Sequence, residues 1–203
     1  AILRSAQSGN ANVTATAGQQ QHNVSVTFTA LPDYAVSIPI TPTQQTKGTL
    51  SHSNLQKVIL TAAVQPGTSF RDNAATQRVA HSLRMAAVDN ATIPAKPSDS
   101  LGRFFTIEVL DRQGNILKSV ETINPPLAIT CDVGNAPDLE QLAVHEIALR
   151  FQQANEAWDD DGIVLQSSDE RERRMTFTVN HLTTFALVQG NPVIPFYLPL
   201  IRR

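Results

Sequence analysis

The chain has few of the groups that lock a protein covalently or give it a strong field of one sign. It contains one cysteine, Cys131, so no disulfide can close within it. Asp, Glu, Lys and Arg make up only 17% of its 203 residues, and 16 basic side chains nearly balance 18 acidic ones, for a net charge of −2. That balance provides no broad positive surface to release counterions from a phosphate backbone, which excludes nucleic acid as an expected partner. Aromatic residues are equally sparse, at 5%, and leave little from which to build a stacking platform for sugars. No apolar run reaches the ~18 residues that a membrane-spanning helix needs, and the opening "AILRSAQSGN" has no signal-peptide core. A mature secreted protein also begins without its signal. The abundance of Thr, Ser, Gln and Asn, with so little charge, leads us to expect an extracellular or cell-surface protein in its mature form.

Motifs for catalysis and cofactors are missing too. His22, His52, His81, His145 and His181 are dispersed, with no pair at the i, i+4 spacing of a helical zinc site. There is no glycine-rich phosphate loop and no nucleophile elbow, so no cofactor and no metal are expected. The acidic run Asp159 to Gly162, "DDDG", lacks the alternating acids and closing Glu of a calcium loop and reads as a solvated turn. "DERERR", Asp169 to Arg174, mixes signs ahead of a strand and reads as the wet end of a hairpin. Asn12, Asn23 and Asn90 each begin an Asn-x-Ser/Thr triplet, a pattern that arises readily in a chain this rich in Asn and Thr.

What the chain does have is alternation. Val24, Val26 and Phe28 alternate with Ser25, Thr27 and Thr29. Val79, His81, Leu83 and Met85 repeat the pattern, as do Phe105, Ile107 and Val109, and again Met175, Phe177 and Val179. A period of two is the signature of half-buried strands. Turn signals separate the runs at "LPDY", "QPGTSF", "DRQGN", "NPP" and "DDDG". Many short strands punctuated in this way predict an all-β fold, a β-sandwich of one or two immunoglobulin-like or GAIN-like units with extended N- and C-terminal segments. Cys131 shares a strand face with Leu127 and Ile129 and is expected to be a buried small hydrophobe. The stretch "DLEQLAVHEIALRF" predicts a short helical turn near Leu139 to Leu142, followed by a strand from about Val144.

The organisation expected is an N-terminal arm or edge strands over 1–45, a first set of strands over 46–97, a sandwich module over 98–190, and an apolar proline-rich tail over 191–203. The tail "NPVIPFYLPLIRR" has a proline at every third or fourth position, which rules out a helix. Its apolar surface is expected to be covered by the chain's own sandwich or by a neighbouring subunit.

The stretch from Leu101 to Val188 resembles a β-sandwich module found near the C-termini of many bacterial surface and secreted proteins. The pieces that carry the resemblance are "LDRQG" (Leu110 to Gly114), "NPPLAIT" (Asn124 to Thr130), the strand Ile147 to Phe151, the tryptophan turn Trp158 to Gly162, and "HLTTFAL" (His181 to Leu187). The last piece is also similar to the proteolysis-site strand of GAIN domains. That resemblance implies His181 as general base for the hydroxyl of Thr183, with cleavage between Leu182 and Thr183 through an ester. The flanking cysteines and the tryptophan of the receptor version are missing, and Thr178 and Asn180 stand where the cysteines would bracket the turn.

For the residues themselves the simpler expectation is structural: a strand carrying Met175, Phe177 and Val179 inward kinks at His181, and Phe185 and Leu187 resume the alternation. His181, Thr183 and Thr184 then satisfy backbone groups at the kink. Trp158 is read in the same way, as a plug at one end of the core with its indole N–H on a polar partner, against a sugar-stacking role. The function expected is a non-enzymatic structural protein that forms a homo-oligomer or polymer, as a surface-layer, matrix or filament subunit held by strand addition. The alternatives are an autoproteolytic sandwich using His181 and Thr183, and an accessory module with a glycan as partner.

Overall fold

The computed structural model describes residues 9–17, 20–28, 34–72, 80–117 and 120–190. Val79 and the tail over 191–203 lie outside the described residues. The chain divides between Asp33 and Tyr34 into two compact units.

The first unit contains β1 (Gly9–Ala17) and β2 (Gln20–Phe28), an antiparallel hairpin paired from Gly9↔Phe28 to Ala17↔Gln20. The alternation of "NVSVTF" that predicts a strand here is met by β2.

The second unit is an all-β structure whose sheets pack as antiparallel, sandwich-like layers. Its strands are β3 (Ala35–Pro39), β4 (Thr46–Ser51), β5 (Ile59–Val64), β6 (Ser69–Asp72), β7 (Ser82–Val88), β8 (Ser100–Leu110), β9 (Val120–Asn124), β10 (Leu127–Asp132), β11 (Ile147–Gln152), β12 (Trp158–Asp159), β13 (Val164–Asp169), β14 (Arg174–Val179) and β15 (Thr184–Gln189). One sheet runs β13-β14-β10-β5-β4 and the other β12-β11-β15-β8-β7-β3, with every neighbouring pair antiparallel. A short ribbon of β6 and β9 completes the set. The expected boundary near Ser98 is not a structural division. β5 from before it pairs with β10 from after it, and β7 pairs with β8, so strands from both stretches build the same two sheets. The expected N-terminal arm over 1–45 is likewise divided: β3 belongs to the six-stranded sheet, as an edge strand ending at Pro39.

Alternation explains the main core. Leu60 and Ala62 of β5, Leu127, Ile129 and Cys131 of β10, and Met175, Phe177 and Val179 of β14 face the interior from the five-stranded sheet. Leu83 and Met85, Phe105, Ile107 and Val109, and Phe185 and Leu187 meet them from the other. Phe105 and Phe185 are stacked at 5.3 Å between ring centroids. Of the expected β7 pattern, Leu83 and Met85 are buried, whereas His81 lies just before the strand and is exposed. Before β11, the chain makes short 3-10 turns at Pro137–Leu139 and Val144–Glu146. The strand therefore begins at Ile147, three residues later than expected, because Ile147 N–H still closes the second turn onto the Val144 carbonyl.

A second, smaller cluster lies on the opposite face of the six-stranded sheet. Ile93, Phe104, Ala148, Ala186 and Val188 are buried there, with Val88 and Trp158 packed against them. "FALV", Phe185 to Val188, is buried without interruption because β15 is covered on both faces. Buried Arg103, on β8, forks both oxygens of Asp138 at 2.6 and 2.5 Å and also donates to the Leu101 carbonyl. This pins the turn before β11 to the sheet.

Candidate functional site

β14 belongs to the five-stranded sheet and β15 to the six-stranded one. Residues Asn180 to Thr183, between Val179 and Thr184, therefore carry the chain across the sandwich. The segment turns the chain as expected, but it joins two sheets and does not kink one continuous strand. Met175, Phe177 and Val179 approach the core from one layer, Phe185 and Leu187 from the other.

The side chains of the crossover are fixed by partners far away in sequence. The His181 ring lies parallel to Phe151, with centroids 4.1 Å apart and planes at 15°. Its Nε2 is 3.0 Å from the carbonyl oxygen of Asp161. A carbonyl only accepts, so Nε2 carries the proton and donates it there. The Thr183 hydroxyl donates to the Gln152 carbonyl at 2.7 Å, and the Thr183 carbonyl accepts from Ile107 N–H at 3.0 Å. Thr184 opens β15 opposite Thr106.

The structure thus places His181 and Thr183 within one crossover but directs them to different carbonyls, those of Asp161 and Gln152. A base that activates a hydroxyl must present a lone pair to its proton. Here the Thr183 hydroxyl proton is directed at the Gln152 carbonyl and the His181 Nε2–H at that of Asp161, so no hydrogen bond links Nε2 to the hydroxyl. Of the residues at the expected cysteine positions, the Thr178 hydroxyl reaches the Val164 carbonyl at 3.4 Å, and Asn180 Oδ1 is buried with no hydrogen-bond partner among the described residues.

Gly162 supplies the seat. Its φ of 73° is in the left-handed region, and an added Cβ would stand 2.5 Å from Asn180 Oδ1 and 3.0 Å from His181 Nε2. The acidic turn before it folds onto itself: Asp159 Oδ1 accepts from the N–H groups of Asp160 and Asp161 at 2.8 and 3.2 Å, while Oδ2 accepts from Gln153 at 2.6 Å. Among the described residues, no group of three or more His, Cys, Asp or Glu is placed to hold a metal ion. An open depression of about 370 Å³, lined by Phe151 to Ala154 and His181 to Thr183, flanks the crossover on one side. A second, of about 220 Å³, lies between Leu182–Thr184 and the Thr106–Val109 stretch of β8.

Trp158 is not at the end of the main core. Half-buried, it caps the smaller cluster on the outer face, tilted against Phe104 at 5.8 Å. Its indole N–H donates to the Ala95 carbonyl at 2.5 Å, the polar partner expected for it. Cys131 is fully buried, and burial pushes its thiol up to about 12, far from reactive thiolate. Sequence reasoning missed Phe151, Gly162, Gln152 and Asp161. Only Gly162 carries a local signal, as the glycine that ends an acidic turn.

No protein-family model matches the chain, and no curated protein matches it. Among the described residues, no helix is long and apolar enough to cross a membrane.

Proposed function

We propose that this chain is an extracellular structural protein, a subunit of a surface layer, matrix or filament that assembles with further copies by strand addition. The observation that carries this reading is the N-terminal hairpin. It is a compact unit whose two nine-residue strands each have, among the described residues, a neighbour on one side only. Isolated two-stranded hairpins are marginal in water and gain stability when further strands complete the ladder. The low charge and the wealth of Thr, Asn and Gln fit an exposed, extracellular setting. The crossover at His181 supports a non-enzymatic reading, since its side-chain hydrogen bonds go to the backbone carbonyls of Asp161 and Gln152 and fix the turn.

Intact mass and light scattering over a concentration series test this reading. The expected result is an uncut chain whose average mass rises with concentration. A fragment beginning at Thr183 would replace it with the autoproteolytic reading, and a monomer at the highest attainable concentration would end it.

A further inference from the structure

We propose that the strand which completes the hairpin is supplied by the hairpin of a second copy, not by an edge of a neighbouring sandwich. This deepens the strand-addition reading above and rests on it. Between Gly9 and Phe28 there is no Asp, Glu, Lys, Arg or Pro. Natural edge strands are ordinarily protected from one another by charge, proline, bulges or shortness; the hairpin has none of these along either strand.

The sandwich edges have all of them. On one side, β3 ends at Pro39 and β4 carries exposed Lys47. These two strands are also drawn together there: Thr46 donates to the Pro39 carbonyl at 2.5 Å, and Gly48 leaves room for Ile38. On the other side, β12 is two residues long, while β13 is broken by a bulge between Leu165 and Ser167 and ends at Asp169. A hairpin strand added to these edges would bring no counter-charge to Lys47 or Asp169, whereas a second hairpin meets the first with no charge on either side.

The register adds a second argument. Asn10, Asn12, Thr14 and Thr16 stand in register with Thr27, Ser25, Asn23 and Gln21, so these rows pair polar residues throughout. The alternate rows set Ala11 opposite Val26 and Val13 opposite Val24, and then Ala15 opposite His22 and Ala17 opposite Gln20. Two hairpins joined edge to edge extend the all-polar rows with polar rows and bring no charged residue into the others, which makes the pairing self-compatible.

A charge exchange in the full-length chain tests the proposal. One variant carries Asn12→Lys with Asn23→Lys, and the other carries Asn12→Glu with Asn23→Glu. Each alone is expected to require a concentration roughly tenfold higher or more to associate, while an equimolar mixture associates as the parent does. The melting temperature of the sandwich is expected to be unchanged in both. Undiminished association of either variant alone would overturn the proposal. If the parent associates and both variants fail to, separately and mixed, the hairpin pairs with something other than a hairpin: the inference falls and strand addition stands. A parent that remains monomeric removes both.

Discussion

In the sandwich, a strand such as β10 has a neighbour on either side and a second sheet packed on one face, and Leu127, Ile129 and Cys131 are fully buried as a result. In the hairpin, β1 pairs with β2 alone among the described residues. The two regions share antiparallel pairing and period-two patterning but differ in how the pattern is satisfied. The sandwich closes its apolar rows internally and guards its margins with Pro39, Lys47, a bulge and Asp169. The hairpin has no such guards along β1 or β2. Under the assembly proposed above, the difference separates two tasks: a region folded to be stable alone, and a region whose ladder is completed by association.

Substitutions should affect the two regions separately. The largest effect is expected from Phe177→Ala, which empties a fully buried position between the sheets and should cost about 3–5 kcal/mol in denaturant unfolding. Next comes Asp138→Ala, which leaves the buried Arg103 guanidinium without its carboxylate; because Asp138 is itself half exposed, about 1–3 kcal/mol is expected. His181→Ala removes the hydrogen bond to Asp161 and the stacking on Phe151 and should cost about 1–3 kcal/mol. Its intact mass should match that of an uncut chain; a processing event abolished by this variant, with unfolding unchanged, would contradict the structural role given to the crossover.

The pH dependence follows from two carboxylates. Hydrogen bonding to Arg103 holds Asp138 below the ordinary carboxylate range. Glu170 is held down chiefly by the Val144 N–H and then by His145, with Val144 N at 2.9 Å and His145 Nδ1 at 2.8 Å. Because both folded-state values are lowered, their stabilisation is complete above the unfolded carboxylate range, near about pH 4, and is lost as pH falls through the folded values. Acid titration of unfolding should therefore show a loss below about pH 4 that Asp138→Asn diminishes. Glu170→Gln, at an exposed pair, should change stability by under about 1 kcal/mol. The smallest effect is expected from Asn12→Lys with Asn23→Lys, which should move association strongly and sandwich unfolding by no more than about 0.5 kcal/mol.

Much of this architecture is legible in the residue pattern. Leu83 and Met85, Phe105 to Val109, and Met175 to Val179 announce strands because alternation records which face is buried. It does not record which sheet a strand joins. Val179 and Phe185 read as one interrupted strand, although they lie in different layers, since both layers bury the same kind of face. The partners of the crossover were out of reach for a related reason: Phe151 and Asp161 are 30 and 20 residues from His181, and neither stacking nor a carbonyl acceptor leaves a mark on residue type. Trp158 was misplaced because its cluster lies outside the sandwich, although "FALV" already signals a strand covered on both faces.

Amide hydrogen exchange across a concentration series tests the central claim most directly. In dilute solution, the amides of β10, β14 and β15 should be strongly protected and those of β1 and β2 weakly so. Protection in β1 and β2 should then rise with protein concentration while the sandwich remains unchanged. Hairpin amides as protected as the sandwich at the lowest concentration, or unprotected at every concentration, would contradict the account.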